Sequence, residues 1–374
     1  MVQVQKDRRL SVFNRLVLWL HYFVILSLVI AIVAKYISPQ LFWLPAFFGL
    51  AFPFLFLFNA LLVIYWLVQF KPAIVFGLLA FAIALPTAFN YFQISLPKKK
   101  EAHKLLKITS YNSMLFDLYN WSKNSESREQ ILSNLADLKP DIFCVQEFYT
   151  SEEKGDFNNL DTLKKLLKLN YFHSEYTTTL REFDHWGIAT FSKFPIINQG
   201  KIVFNTKSNN ICIYSDVVCG QDTLRVYNVH LQSVSFSKSD TKFMEDVISE
   251  KDAADEVTNS KNILRRLKRA FVKRTQQVEM IVAHMKTCRY KIILCGDFNE
   301  TAASYSYRKL SENLNDAFVE RGFGFGRTYA GKWPQFRIDY ILHDPALNCV
   351  DYQRSDETFT DHYPITAKFD NIRW

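Results

Sequence analysis

The sequence predicts a layered α/β domain carried behind a helical, membrane-spanning region. Three observations support that prediction. Residues 1–100 contain three long stretches without a charged side chain. Beyond them the pattern changes to short apolar runs that end in turns or polar residues, as strands do. Between those runs lie segments of helical periodicity, as a mixed α/β architecture requires. A chain of 374 residues at 49% hydrophobic composition is long enough to bury a substantial core.

The charge-free stretches cover residues 16–34, 41–68 and 73–92. Each is long enough to cross about 30 Å of hydrocarbon as an α-helix. A core helix of a soluble protein keeps a polar face, whereas these carry chiefly the scattered His21, Asn59 and Asn90. Three transmembrane helices are therefore expected in residues 1–100, with the remaining domain in 101–374. Pro45, Pro53 and Pro86 do not oppose this, because neighbouring helices can satisfy freed backbone groups. A cleaved signal peptide accounts poorly for the first stretch, since two more follow and no small-residue cleavage site closes it.

The net charge of +8 resembles a nucleic-acid footprint until it is located. Residues 1–100 hold nine Lys and Arg against the single acid Asp7, leaving 36 basic and 36 acidic residues in 101–374. The excess sits beside the apolar stretches, where Lys and Arg set orientation and meet anionic headgroups. Arg8, Arg9 and Arg15 favour a cytoplasmic start, which with three spans places the large domain on the extracytoplasmic side. Six cysteines include no CxxC pair; Cys144 and Cys295 fall in apolar runs as small buried hydrophobes, and a Cys212–Cys219 disulfide stays open.

After the "PKKK" of Pro97 to Lys100, the candidate strands are "LLKITSYN", "DIFCVQE", "GIATFSK", "ICIYSDVV", "LRVYNVHL", "KIILCGDF", "RIDYILH" and "YPITAKF". Helices are expected over 127–138 and 160–169, and a long helical insert over about 237–288. Polar residues mark where these strands end. Asn112 closes the first, Glu147 the second, His230 the fifth, and Asp297 with Asn299 the sixth. Asp339 lies in the seventh, and Asp361 with His362 precedes the eighth. Strand ends are where a rigid sheet can hold catalytic groups while loops shape a cleft. Singly, each has a blander reading: a solvated loop glutamate, a core histidine, or an aspartate making an Asx turn.

In this order the residues resemble the endonuclease/exonuclease/phosphatase superfamily, which has the deoxyribonuclease-I-like fold. The matching stretches are "SYNS", "VQE", "GIATFSKFPI", "YNVHLQS", "GDFNE", "RIDYIL" and "TDHYPI". The resemblance implies a four-layered α/β sandwich of two packed mixed β-sheets flanked by helices, with a divalent cation, Mg²⁺ or alternatively Mn²⁺ or Ca²⁺. It implies hydrolysis of a phosphodiester or phosphomonoester by an activated water. Asp297 and Asn299, two apart on an extended segment, would project together while Phe298 turns inward. Asp297 would orient and deprotonate the water, and Asn299 would donate to a phosphoryl oxygen. Glu147 would be the main metal ligand, with Asn112 and Asp361 beside it. His362, oriented by Asp339, would contact the scissile phosphate, and His230 would be a second phosphate contact or the general acid.

Departures narrow the substrate. The abasic-site branch has an acid where this chain has Met114, and a tyrosine where it has His230, so a repair role is disfavoured. His230 does not separate nucleic acid, phospholipid and inositol phosphate. The membrane-anchored arrangement resembles bacterial inner-membrane members. A catalytically silent, membrane-bound binding module is the alternative, opposed by the filling of all eight polar positions. In the insert, "KNILRRLKRAFVKR" has seven basic residues in 14, with Ile263, Leu267, Ala270 and Phe271 on one helical face. Such a helix either lies on an anionic bilayer or packs its apolar stripe inward. Arg327, Tyr329 and Trp333, in a glycine-rich stretch, are candidates for substrate contact or for packing.

Overall fold

The computed structural model describes residues 10–95, 104–153, 155, 157–204, 209–234, 256–331 and 334–374. The chain opens with helices α1 (Val12–Ala34), α2 (Leu44–Leu50), α3 (Phe52–Val68) and α4 (Ile74–Ala88). There follow β1 (Gln93–Ile94), β2 (Leu106–Asn112), α5 (Ser127–Leu138), β3 (Ile142–Ser151) and α6 (Asn159–Leu167). Next come β4 (Tyr171–Leu180), β5 (Asp184–Ser192), β6 (Ile196–Ile202), β7 (Ile211–Cys219), β8 (Asp222–His230) and α7 (Glu256–Met285). The last part holds β9 (Lys291–Asp297), α8 (Tyr305–Leu310), β10 (Asn315–Asp316), α9 (Ala317–Arg321) and β11 (Phe323–Gly324). It closes with β12 (Asp339–His343), β13 (Asn348–Arg354) and β14 (Ile365–Asp370).

Two six-stranded sheets form the α/β core, ordered β10-β12-β9-β8-β7-β6 and β13-β14-β2-β3-β5-β4. Each is mixed: β8 pairs with β9 and β2 with β3 in parallel, and the other neighbours are antiparallel. Inner faces meet through Ile108, Ile142 and Cys144 from one sheet and Val226, Ile293 and Ile341 from the other. The outer face of the first sheet packs Tyr227, Leu294 and Phe298 against α7 and α8 through Val278, Ile281 and Leu310. The outer face of the second packs Phe143, Val145 and Phe191 against α5 and α6 through Ile131, Leu135 and Leu163. Burial on both faces explains why the central strands read as apolar runs rather than alternations.

All eight expected strands form, and α5 matches its expected bounds. The strands β4, β6 and β13 were not expected; their burial is partial, so they lack a continuous apolar signal. The insert is helical over Glu256–Met285, while residues 237–255, like Pro97 to Lys100 and Trp333, lie outside the described residues. Cys212 and Cys219 are both free. They sit seven residues apart on β7, about 23 Å at strand rise, far beyond disulfide reach.

The expectation of three membrane spans is corrected. Among the described residues only Val12–Ala34 is by itself long and apolar enough to cross a membrane. The second stretch breaks at Ala51, where Pro53 begins a new helix, and Leu44–Leu50 and Phe52–Val68 meet at 65°. The third forms a helix of only 15 residues. Absence of charge measured how long each stretch was, but not where a proline or a turn would divide it.

The segment after β14 is tied to the first sheet by ion pairs. Asp222 accepts from Arg373 Nε at 2.9 Å and from Lys291 Nζ at 3.2 Å. Burial pushes the Asp222 carboxyl up, but Arg373 and Lys291 outweigh it and hold its pKa at about 2. A carboxylate whose pKa falls on folding adds stability above its unfolded value of about 4 and loses it as pH drops through the folded value. Asp222→Asn is therefore expected to cost about 1–3 kcal/mol at neutral pH. In denaturant melts its gap to the parent should close as pH falls from about 4 towards about 2; a gap independent of pH would contradict the linkage.

Candidate active site

The predicted polar residues converge at one end of the two sheets. From the second sheet, β2 delivers Asn112 at its last residue. Glu147 does not close its strand as expected. β3 runs on to Ser151, and Glu147 sits in a bulge between Val145 and Phe148 with φ of +46°. The bulge turns the carboxylate out of the pleat towards the other sheet, and Ser113 Oγ pins it by donating to the Glu147 carbonyl at 2.9 Å. Left-handed backbone recurs at Met114, Leu115, Phe116 and Asp117, so strain concentrates along this edge of the site.

From the first sheet, β8 ends at His230 and β9 at Asp297, and the parallel register sets these two side by side. The register needs glycine at 296. Its φ is +143°, and a Cβ there would lie 1.9 Å from the Val229 carbonyl oxygen. Phe298 is fully buried and stacks on Tyr340. Asn299 does project beside Asp297, though through a turn rather than an extended segment, with φ of +52°. Asn299 N donates to Asp297 Oδ1 at 2.8 Å, and Asn299 Nδ2 donates to Asp297 Oδ2 at 3.1 Å and to the Leu231 carbonyl at 3.0 Å. Through these contacts Asn299 holds Asp297 in place.

A polar chain crosses between the sheets. Asp339, the first residue of β12, accepts from His362 Nδ1 at 2.9 Å. His362 Nε2 lies 3.7 Å from Asp297 Oδ2. Asn112 Nδ2 donates to Asp297 Oδ2 at 3.1 Å and to Glu147 Oε1 at 3.3 Å. His230 Nε2 stands 3.7 Å from both Glu147 Oε1 and Asp297 Oδ2, is buried, and makes no hydrogen bond among the described residues. Tyr329 places its ring edge-on to His362 at 5.4 Å, which puts that residue at the site rim; Arg327 is exposed and pairs with Gln335. Asp361 precedes His362, and its carbonyl accepts from Ala330 N at 2.7 Å.

These groups perturb one another. Burial works against a charged His362, yet Asp339 and Asp297 beside it reverse this and hold its pKa well above the ordinary histidine value. Burial raises the Asp297 carboxyl, with His362 opposing. Burial also raises Asp361; His362 opposes this, while Glu147 and Asp297 add to it. A cavity of about 480 Å³ opens beside Glu147 and His230, with Trp186, Gln232 and Lys273 on its wall.

Sequence reasoning missed the groups underneath. Gln146 Nε2 donates to Asn228 Oδ1 at 2.6 Å across the two sheets and to Ser110 Oγ at 3.2 Å. Asn228 Nδ2 donates in turn to the Ala189 carbonyl at 2.8 Å. Both side chains are fully buried. The available signal was alternation: Asn228 lies two residues before His230 and so shares its face. Likewise Glu300 and Arg274 form a buried pair at 2.7 Å, so the last cation of the basic stretch anchors α7 to the site loop. The apolar stripe of α7 meets the amino-terminal helices, with Phe271 against Phe47 of α2 at 5.2 Å. Asn228→Ala strands several buried partners and is expected to lower stability by at least about 2 kcal/mol in thermal or denaturant unfolding; an unchanged midpoint would contradict the cross-sheet role.

The family model described as "Endonuclease/Exonuclease/phosphatase family" matches residues 119–362, a range that holds every site residue except Asn112. A second, "Domain of unknown function (DUF8431)", matches residues 14–91. No curated protein matches the chain. Among solved structures, an endonuclease/exonuclease/phosphatase from Bacteroides vulgatus aligns with a TM-score of 0.51 at 14% identity, covering 72% of this chain and 99% of the other. One from Beutenbergia cavernae aligns with a TM-score of 0.50 at 15% identity, covering 71% and 72%. At such identities these likenesses bear on the fold alone. The match over residues 119–362 decides the assignment: the chain belongs to the endonuclease/exonuclease/phosphatase family of phosphate-ester hydrolases.

Proposed function

We propose that this chain is a membrane-anchored phosphoesterase whose domain, residues 101–374, hydrolyses a phosphodiester or phosphomonoester with a divalent cation at the strand-end centre. The observation that supports it is the polar chain from Asp339 through His362, Asp297 and Asn112 to Glu147, assembled from both sheets. Asp297 orients the attacking water and takes its proton; burial raises its pKa and so strengthens it as a base. His362, kept cationic by Asp339, offers Nε2–H to a phosphoryl oxygen. His230 Nε2, buried and without a hydrogen bond among the described residues, is placed to contact a second oxygen or to protonate the leaving oxygen.

The donor set fits a hard cation. Glu147 and Asp361 supply carboxylate oxygens that repel each other and Asp297, a repulsion a divalent ion relieves. Asn112 supplies Oδ1, which also accepts from Met114 N at 3.1 Å. When bound, Mg²⁺ or a similar ion neutralises charge developing on the phosphoryl group. The compact Asp297, Asp339 and His362 cluster, whose ligand atoms lie within 4.8 Å, serves the hydrogen-bond relay.

The anchor is supported by Val12–Ala34 and by its exposed apolar side chains, among them Phe13, Leu16, Trp19 and Phe23. Nucleic acid, phospholipid and inositol phosphate remain the substrate classes to separate, and the full chain in detergent should be assayed with each and with bis(p-nitrophenyl) phosphate. Asp297→Asn and His362→Ala are expected to lose roughly 10²–10³-fold in turnover while retaining the fold; near-normal rates would overturn the assigned roles. After alkaline carbonate washing the chain should stay with the membrane pellet, and its release would contradict the anchor.

A further inference from the structure

We propose that Glu320, His343 and Cys349 form a second metal site, suited to zinc, that joins the two sheets at the end of the domain remote from the catalytic centre. One ligand atom from each lies within 4.8 Å of the others. Glu320 is on α9, His343 closes β12 in the first sheet, and Cys349 is on β13 in the second. Asp339 opens β12 at the catalytic end, so His343 stands four strand steps away, about 13 Å.

The histidine carries the argument. His343 is fully buried, and its Nδ1 lies 3.0 Å from the Asp344 carbonyl oxygen. A carbonyl can only accept, so Nδ1 holds a hydrogen and Nε2 is left as the ring's ligand atom. That Nε2 lies 3.3 Å from Glu320 Oε2, an ion-pair distance, with no aligned hydrogen bond among the described residues. A carboxylate and a thiol grouped around that nitrogen favour a cation among them, and a divalent ion would take the place of a ring proton paired with Glu320. A ligating histidine that donates its other nitrogen to a backbone carbonyl is the usual arrangement around bound zinc.

Nitrogen, sulfur and oxygen together favour a borderline-soft ion such as Zn²⁺ over Mg²⁺ or Ca²⁺. Glu320 is partly exposed, which leaves a route for the ion and a fourth position for water. Its other oxygen accepts from Asn315 Nδ2 at 2.7 Å, holding the carboxylate in place. Cys349 Sγ donates to the Asp351 carbonyl at 3.4 Å, a hydrogen bond that the ion would replace, and Arg321 Nε donates to the Cys349 carbonyl at 2.9 Å. Ion binding takes the thiolate and releases the thiol proton to solvent, so affinity rises with pH.

The test uses the full chain in detergent, stripped with a chelator and titrated with Co²⁺ and separately with Zn²⁺. Co²⁺ should raise a thiolate-to-cobalt charge-transfer absorption, and Zn²⁺ should displace it and raise the melting temperature. Cys349→Ser should abolish the absorption. Glu320→Gln, which retains the Asn315 hydrogen bond and is the gentler change, should weaken Zn²⁺ binding by roughly tenfold or more. No thiolate absorption in the parent chain, or an absorption that survives Cys349→Ser, overturns the site.

Discussion

The buried amide pair between Gln146 and Asn228 is the constraint on which the site depends. Gln146 precedes the bulged Glu147 on one sheet, and Asn228 precedes His230 by one turn of the pleat on the other. Their 2.6 Å hydrogen bond fixes how the two sheets register at the catalytic end. Apolar packing alone is non-directional and would tolerate sliding between the inner faces. An unpaired buried amide is not tolerated cheaply, so the pair selects one alignment. In that alignment Glu147 and Asp297, which belong to different sheets, come within reach of the same Asn112 nitrogen.

The amino-terminal helices are seated against this end through specific contacts. Tyr91 accepts from Ala303 N at 3.1 Å and stacks on Phe52, and a Cβ on Gly49 would lie only 3.2 Å from the Ala303 carbonyl oxygen. Arg337 donates to Asp316 at 2.7 Å and to the Asn90 carbonyl at 2.8 Å, from a fully desolvated position two residues before Asp339. Removing one partner of such a pair typically costs about 3–5 kcal/mol. The segments leading from Asn299 to Ala303 and from Arg337 to Asp339 therefore link the amino-terminal helices to the residues of the strand-end site.

The strands and most site residues were legible because both depend on local pattern: apolar runs buried on two faces, closed by a polar residue. Asn112, His230 and Asp297 stand at strand ends as expected. Glu147 does not, because a bulge is set by pairing with β5 and leaves no mark on the run "DIFCVQEF". The turn at Asn299 and its hydrogen bond to the Leu231 carbonyl depend on a residue 68 positions away and left no local mark. Gln146 and Asn228 were hidden by their separation of 82 residues, and the sheet pairing alone brings them together. The three apolar stretches gave lengths without bends, so among the described residues one helix is by itself long and apolar enough to cross a membrane, where three were expected.

The central claim is that one hard-cation centre, built on Glu147, drives phosphate-ester hydrolysis. The most direct measurement titrates Mn²⁺ into the chelator-stripped full chain, following bound ion by electron paramagnetic resonance and hydrolysis of bis(p-nitrophenyl) phosphate in the same samples. Binding and turnover should rise together in the parent chain, and both should fall together in Glu147→Gln. Equal Mn²⁺ occupancy and equal turnover in Glu147→Gln would contradict the account.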